Sequence, residues 1–120
     1  MHNLTLVLKK ALILLLFVFP ILSHAEAVWV DVRSPAEHQI NHIEGDLLIP
    51  HTEIVNTISK LFPNKETPIH LYCRSGNRAG IAQQALNKLG YKNVFNEGSI
   101  EQARQTQQRL KAQASQQEQN

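Results

Sequence analysis

Ile69-His70-Leu71-Tyr72-Cys73-Arg74-Ser75-Gly76-Asn77-Arg78-Ala79-Gly80 is the stretch on which the reading of this chain turns. A short apolar run introduced by Pro68 leads into the only cysteine. Small and polar residues and a second arginine follow, then a helix-like pattern that continues to Leu89. That order predicts a buried strand, a tight turn and the N-terminus of a helix. A cysteine at such a junction meets converging backbone N–H groups and the positive end of the helix dipole. Arg74 and Arg78 add two positive charges within reach. Each effect favours the thiolate, which makes Cys73 a candidate nucleophile. A lone cysteine more often packs as a small hydrophobe. That role predicts apolar neighbours on both sides, whereas Arg-Ser-Gly-Asn-Arg follows this one.

Upstream, Ala27-Val28-Trp29-Val30-Asp31-Val32-Arg33 is rich in β-branched and aromatic residues and reads as a buried strand ending in a polar pair. Ser34 is placed to cap a helix, Pro35 to occupy its first position and Glu37 to complete a capping box, with the helix ending near Gln39 or Ile40. Asn41 to Gly45 reads as a turn that holds His42, with His38 as an exposed helix residue before it. Asp46-Leu47-Leu48-Ile49 reads as a second strand stopped by Pro50. Ile54, Val55, Ile58, Leu61 and Phe62 recur at helical spacing, with Thr52 as the expected N-cap and Pro63-Asn64 as the stop. Beyond the cysteine turn, Ile81, Ala82, Ala85, Leu86 and Leu89 mark the expected buried face of a helix closed by Gly90. Lys92-Asn93-Val94-Phe95 is the expected fourth strand. Strands alternating with helices predict an α/β fold, a parallel sheet covered on both faces. Ligands in such sheets bind beyond the carboxyl ends of the strands. Asp31-Val32-Arg33 and Cys73-Arg74 both lie there.

The two ends of the chain have a different character. Lys9 and Lys10 precede an uncharged run from Ala11 to Leu22, and Ser23-His24-Ala25 supplies the small residues that a signal peptidase reads. Residues 1–25 therefore read as a secretory signal peptide cut near Ala25, and the mature chain as periplasmic. Any membrane association is confined to that peptide during export. Those two lysines account for the whole excess of 12 Lys+Arg over 10 Asp+Glu, so no basic surface argues for nucleic acid. A single cysteine cannot staple an exported domain internally, and chemistry is the simplest reason to keep it. Residues 26–100 read as one small domain. Residues 101–120 carry eight glutamines and one large aliphatic, Leu110. They are expected to form a frayed helix or a disordered tail, with one or two turns docking from Ile100.

Three motifs together resemble the rhodanese family: Asp31-Val32-Arg33-Ser34-Pro35-Ala36-Glu37, His42-Ile43-Glu44-Gly45 through Ile49-Pro50, and Tyr72-Cys73-Arg74-Ser75-Gly76-Asn77-Arg78-Ala79. Lys88-Leu89-Gly90-Tyr91-Lys92-Asn93-Val94 is similar to the helix end and strand that follow in the family. With a signal peptide ahead, the chain most resembles the single-domain periplasmic rhodaneses of the phage-shock type. The resemblance covers about residues 27–100. It implies a rhodanese-like domain, with a central mostly parallel sheet flanked by helices on both faces, and a thiosulfate sulfurtransferase activity. Cys73 would attack the outer sulfur of thiosulfate or a similar donor. The resulting persulfide would pass its sulfur to a thiophilic acceptor such as cyanide, a thiol or a partner protein. Arg74, Ser75, Gly76, Asn77 and Arg78 would bind the donor. Asp31 and Arg33 would lie near the site, with Arg33 pairing with Glu37 or the neighbouring loop. Asp46 and Leu48, and the Gly98-Ser99 pair, depart from the family pattern.

Three other readings compete with sulfur transfer catalysis. A cysteine phosphatase or arsenate reductase would share the N–H nest, but only four residues separate Cys73 from Arg78, one fewer than a phosphate cradle uses. A non-catalytic sulfur carrier would use the same loop without turnover. Metal binding by His38 and His42 lacks the acid of the zinc-protease pattern, and the helix is expected to end between them, so neither a metal nor another cofactor is expected.

Overall fold

The computed structural model describes residues 26–120. The expected signal peptide lies outside the described residues. Four strands, β1 (Val28–Asp31), β2 (Leu47–Leu48), β3 (Ile69–Cys73) and β4 (Val94–Ser99), form one sheet in the order β2-β1-β3-β4, and every pair is parallel. The helices are α1 (Pro35–Ile40), α2 (Ile54–Leu61), preceded by a 3-10 turn over His51–Glu53, α3 (Asn77–Lys88) and α4 (Ile100–Glu118).

Alternation along the strands sorts the core into two layers. Val28, Val30, Ile69, Leu71 and Cys73 point to one face, where they pack with Ile54 and Ile58 of α2 and Ala79, Ala82 and Leu86 of α3. Trp29 and Tyr72 point to the other, against Ile43 and against Ile100 and Ala103 of α4. Helices thus cover both faces, as an α/β sheet requires. Ile58 and Leu86 are fully buried. Each such side chain contributes roughly 1.5–3 kcal/mol relative to its exposed state. Helix α3 ends as the sequence predicts: Gly90 takes a φ of 94°, donates its N–H to Asn87 O, and lets Tyr91 N–H reach Leu86 O.

Several local expectations give way to packing. Thr52 does not cap α2, because residues 51–53 form the 3-10 turn and no side-chain cap bond is present. Ile81 is 57% exposed, and Leu61 and Leu89 are exposed with it. The true inward stripe of α3 is Ala79, Ala82 and Leu86, since small residues let the helix sit close to the strands. Strand β4 starts later than expected and runs to Ser99 through a bulge: Leu71 pairs with Asn96 and Cys73 with Ser99, so two residues of β4 oppose Tyr72.

The glutamine-rich segment differs most from expectation. Residues 100–118 form one continuous helix, opened by a capping box in which Ser99 Oγ accepts the Gln102 N–H and the Gln102 side chain accepts the Ser99 N–H. Ala103 docks its first turns; Leu110 and the residues beyond it are exposed. Gln, Ala, Lys and Arg are good helix formers, so the outer turns need little burial once the first turn is capped.

Candidate active site

The polar turn after β3 wraps around the sulfur of Cys73, which is 1% exposed. Gly76 makes the wrapping possible. Its φ of 98° lies in the left-handed region, and its N–H donates to Cys73 Sγ at 2.9 Å. Gly76 is also the N-cap of α3, with no side-chain cap bond. The first N–H groups of α3, which have no partner within the helix, therefore stay available to an anion. Gly80 N–H and Asn96 Nδ2 both donate to Gly76 O, at 2.8 and 2.9 Å, and fix the turn from below. Asn96 reaches it because of the β4 bulge, and its own Oδ1 accepts the Gly98 N–H at 3.0 Å. No local signal marks this role, because Asn96 lies just past the strand expected over Lys92 to Phe95.

Charge is arranged around this turn in two pairs. Arg78 donates from Nη1 and Nη2 to the two oxygens of Glu37, at 2.7 and 2.9 Å. Glu37 simultaneously completes the Ser34 capping box. The Arg78 guanidinium, with the Ser34 hydrogen bonds, holds the Glu37 carboxyl down at about 2 against the burial that would raise it. The expected Arg33–Glu37 contact is replaced by this one. Arg33 instead forks onto Asp31, with Nε and Nη2 each 2.9 Å from a carboxylate oxygen, and also donates to Asn41 O. The loop that follows α1 is thus its second partner. Burial alone would raise the Asp31 pKa, but the Arg33 hydrogen bonds and the one from His38 outweigh it and hold the carboxyl below its ordinary range.

Asp31 and Cys73 do not share a face. Asp31 is in register with Tyr72, so its side chain lies on the Tyr72 side of the sheet, whereas Cys73 points to the other. Arg33, Glu37, Ile40, Asn41 and Arg74 line an open cleft of about 310 Å³ beside the turn. Arg74 is exposed and takes part in none of the ion pairs among the described residues. Ser75 and Asn77 are exposed on the same turn. Residues 73–78 thus run as one continuous stretch from the end of β3 through the turn into the first turn of α3, while Asp31 and Arg33 are paired with each other at the end of β1.

His38 departs from expectation. It is not a solvent-facing helix residue: its Nδ1 lies 2.9 Å from Asp31 Oδ2, and its ring stacks on His42 at 4.0 Å. Helix α1 does end between the two histidines, at Ile40, yet the turn brings the rings together.

A family model for the rhodanese-like domain matches residues 21–113. This chain belongs to the rhodanese-like family. It is 35% identical, over 77% of its length and 88% of the relative, to the thiosulfate sulfurtransferase PspE of Escherichia coli. It is 32% identical to the thiosulfate:glutathione sulfurtransferase of Saccharomyces cerevisiae, covering 56% of each protein. Among solved structures, an Escherichia coli rhodanese described with anions superposes with a TM-score of 0.60 at 35% identity, over 65% of this chain and 91% of that one. The all-parallel sheet is thus that of a rhodanese fold, and the chain's only cysteine ends its strand β3.

Proposed function

We propose that the chain moves a sulfane sulfur from thiosulfate to a thiophilic acceptor through a persulfide on Cys73. The enzyme class, thiosulfate sulfurtransferase, follows from the family and from the relatives that bear that activity in their names. The observation that carries the mechanism is the Gly76 N–H aimed at Cys73 Sγ. A thiolate, and equally a persulfide, is an acceptor that needs such donors close by and no bulky side chain in the way.

In the first half-reaction the Cys73 thiolate attacks the outer sulfur of thiosulfate. A Sγ–S bond forms, the sulfur–sulfur bond of the donor breaks, and sulfite leaves with the electron pair. In the second, the acceptor thiolate or cyanide attacks the outer sulfur, the Sγ–S bond breaks, and the Cys73 thiolate returns. No net oxidant is required. The donor is a dianion, and Arg74 is the exposed cation beside the cleft, while Arg78 offers a charge shared with Glu37. Ser75, Gly76 and Asn77 supply main-chain N–H groups to the bound sulfur. Asp31 and Arg33 position the rim. The yeast relative named for glutathione supports a small thiol as one acceptor class.

Export to the periplasm is the companion proposal. It rests on the pattern of residues 1–25. Among the described residues no helix is long and apolar enough to cross a membrane.

Intact-protein mass spectrometry before and after incubation with thiosulfate tests the mechanism. A gain of one sulfur, removed by cyanide and absent from Cys73→Ser, is the expected result. No gain on a folded protein overturns the persulfide. Repeated turnover with thiosulfate and a small thiol then separates an enzyme from a sulfur carrier that is loaded only once.

A further inference from the structure

On the Tyr72 face of the sheet, away from the cysteine, two histidines and a buried carboxylate converge. One ring nitrogen each of His38 and His42 and a carboxylate oxygen of Asp46 lie within 4.8 Å of one another. The remaining heteroatom of each residue is already held. Asp31 Oδ2 accepts from His38 Nδ1, so in the neutral, metal-binding form of the ring the proton stays on Nδ1 and the lone pair of Nε2 faces Asp46. His42 Nδ1 lies 2.9 Å from His38 O, a carbonyl that also can only accept, so His42 likewise carries its proton on Nδ1 and keeps Nε2 free. Asp46 Oδ2 accepts from the Tyr72 hydroxyl. Its other oxygen, Oδ1, is buried and has no hydrogen-bond partner, the one such side-chain atom among the described residues.

That leaves two acceptors facing each other, His38 Nε2 and Asp46 Oδ1, 4.0 Å apart. An N–H···O bond spans about 2.7–3.2 Å, so a proton alone does not bridge this gap. Two bonds of about 2.0–2.2 Å at a tetrahedral angle hold their ligand atoms roughly 3.3–3.6 Å apart, so the pair has only to close by about half an ångström around a common ion. Arg33 is paired with Asp31, so the buried Asp46 side chain has no lysine or arginine partner among the described residues. Histidines whose second nitrogen donates to a carboxylate or a carbonyl are the usual form of metal-binding histidines.

We propose that His38, His42 and Asp46 form a binding site for a divalent d-block cation of the zinc type, with the fourth position left to water. Two imidazoles and a carboxylate suit such an ion. His42, which is exposed, tilts off its stack with His38 to complete the trio. The ion would tie α1 and the turn over residues 41–46 to Tyr72. It takes no part in sulfur transfer, since the reacting cysteine points to the opposite face.

The test is a titration of Zn²⁺ into the purified protein in chelator-free buffer, followed by calorimetry and by the thermal midpoint. It is run on wild type and on Cys73→Ser, because a thiolate is itself a zinc ligand. One ion per chain is expected in Cys73→Ser, with a midpoint raised by about 10 °C at 100-fold excess over Kd. His42→Ala and Asp46→Asn should each weaken binding by more than about tenfold. Because His42 is exposed, its substitution tests the site even where Asp46→Asn fails to fold. Absence of saturable binding in Cys73→Ser, or full-strength binding retained by His42→Ala, overturns the proposal.

Discussion

Glu37 holds both terminal nitrogens of Arg78, 41 residues further along the chain, in a two-pronged ion pair at 2.7 and 2.9 Å. One carboxylate therefore starts α1 and anchors the first turn of α3, so the two loops that frame the sulfur are clamped by a single side chain. The arginine that the sequence offers as a donor-binding charge comes already partnered.

Substituting the two partners separately should split their roles. Glu37→Gln and Arg78→Ala each remove the pair, which at this exposure stabilises by about 1 kcal/mol, and each should lower the thermal midpoint by roughly 5 °C. Their kinetics should diverge. Arg78→Ala removes a charge and should raise the KM for thiosulfate by about tenfold with a smaller effect on kcat, whereas Glu37→Gln frees that charge and should not raise it. A wild-type KM in Arg78→Ala would show that the donor does not sense this guanidinium.

Cys73→Ser should end sulfur transfer with little structural penalty. The hydroxyl fits the same buried space and can still accept from Gly76 N–H, so the midpoint should stay within about 2 °C of wild type. Residual turnover above the uncatalysed rate would remove Cys73 from the mechanism.

Gly76→Ala tests whether the left-handed backbone positions the N–H donor. An added Cβ would meet Asn96 and Gly98 only at 3.5 Å, ordinary contact, so the penalty lies in the backbone and not in a clash. Holding alanine at that φ costs about 1–2 kcal/mol. A midpoint lower by roughly 5–10 °C is expected, together with a fall in turnover of at least tenfold. Gly76→Asn, which tolerates this region better, should lose less on both counts. Equal losses in the two variants would mean that the site needs the absence of a side chain and not the dihedral angle.

The Glu37–Arg78 clamp also gives stability an acid limit. The Glu37 pKa is lowered from 4.5 to about 2, chiefly by its hydrogen bonds from Arg78. A depressed folded-state value means that the stabilisation is fully present above the unfolded pKa and is lost as pH falls through the folded one. Between about pH 4.5 and pH 2 the wild-type midpoint should therefore fall more steeply than that of Glu37→Gln. Parallel curves would deny the clamp a part in acid unfolding.

The frame of the molecule was readable because its signals are local. Pro68 opens β3, the small residues after Cys73 force the turn, Gly90 closes α3, and the Ser34–Glu37 capping box stands where its spacing predicts. Partners distant in sequence were not readable. Nothing near Glu37 announces Arg78, and nothing near Asn96 announces Gly76, since a bulge in β4 decides which way that asparagine points. His38 looked solvent-facing because helical periodicity ignores Asp31 on the neighbouring strand. The continuity of the C-terminal helix has another cause. Low hydrophobicity argues for fraying, whereas the Ser99–Gln102 capping box, a local signal in the sequence, starts the helix firmly.

The burial of Cys73 bears on how the protein can survive oxidation. A disulfide between two molecules needs the sulfurs about 2.05 Å apart and the two Cα atoms within roughly 7 Å. A sulfur 1% exposed, seated inside its own turn, cannot meet its twin on another chain without unfolding both loops. The same turn that aims an N–H at the sulfur thus keeps two copies of the chain from joining through it.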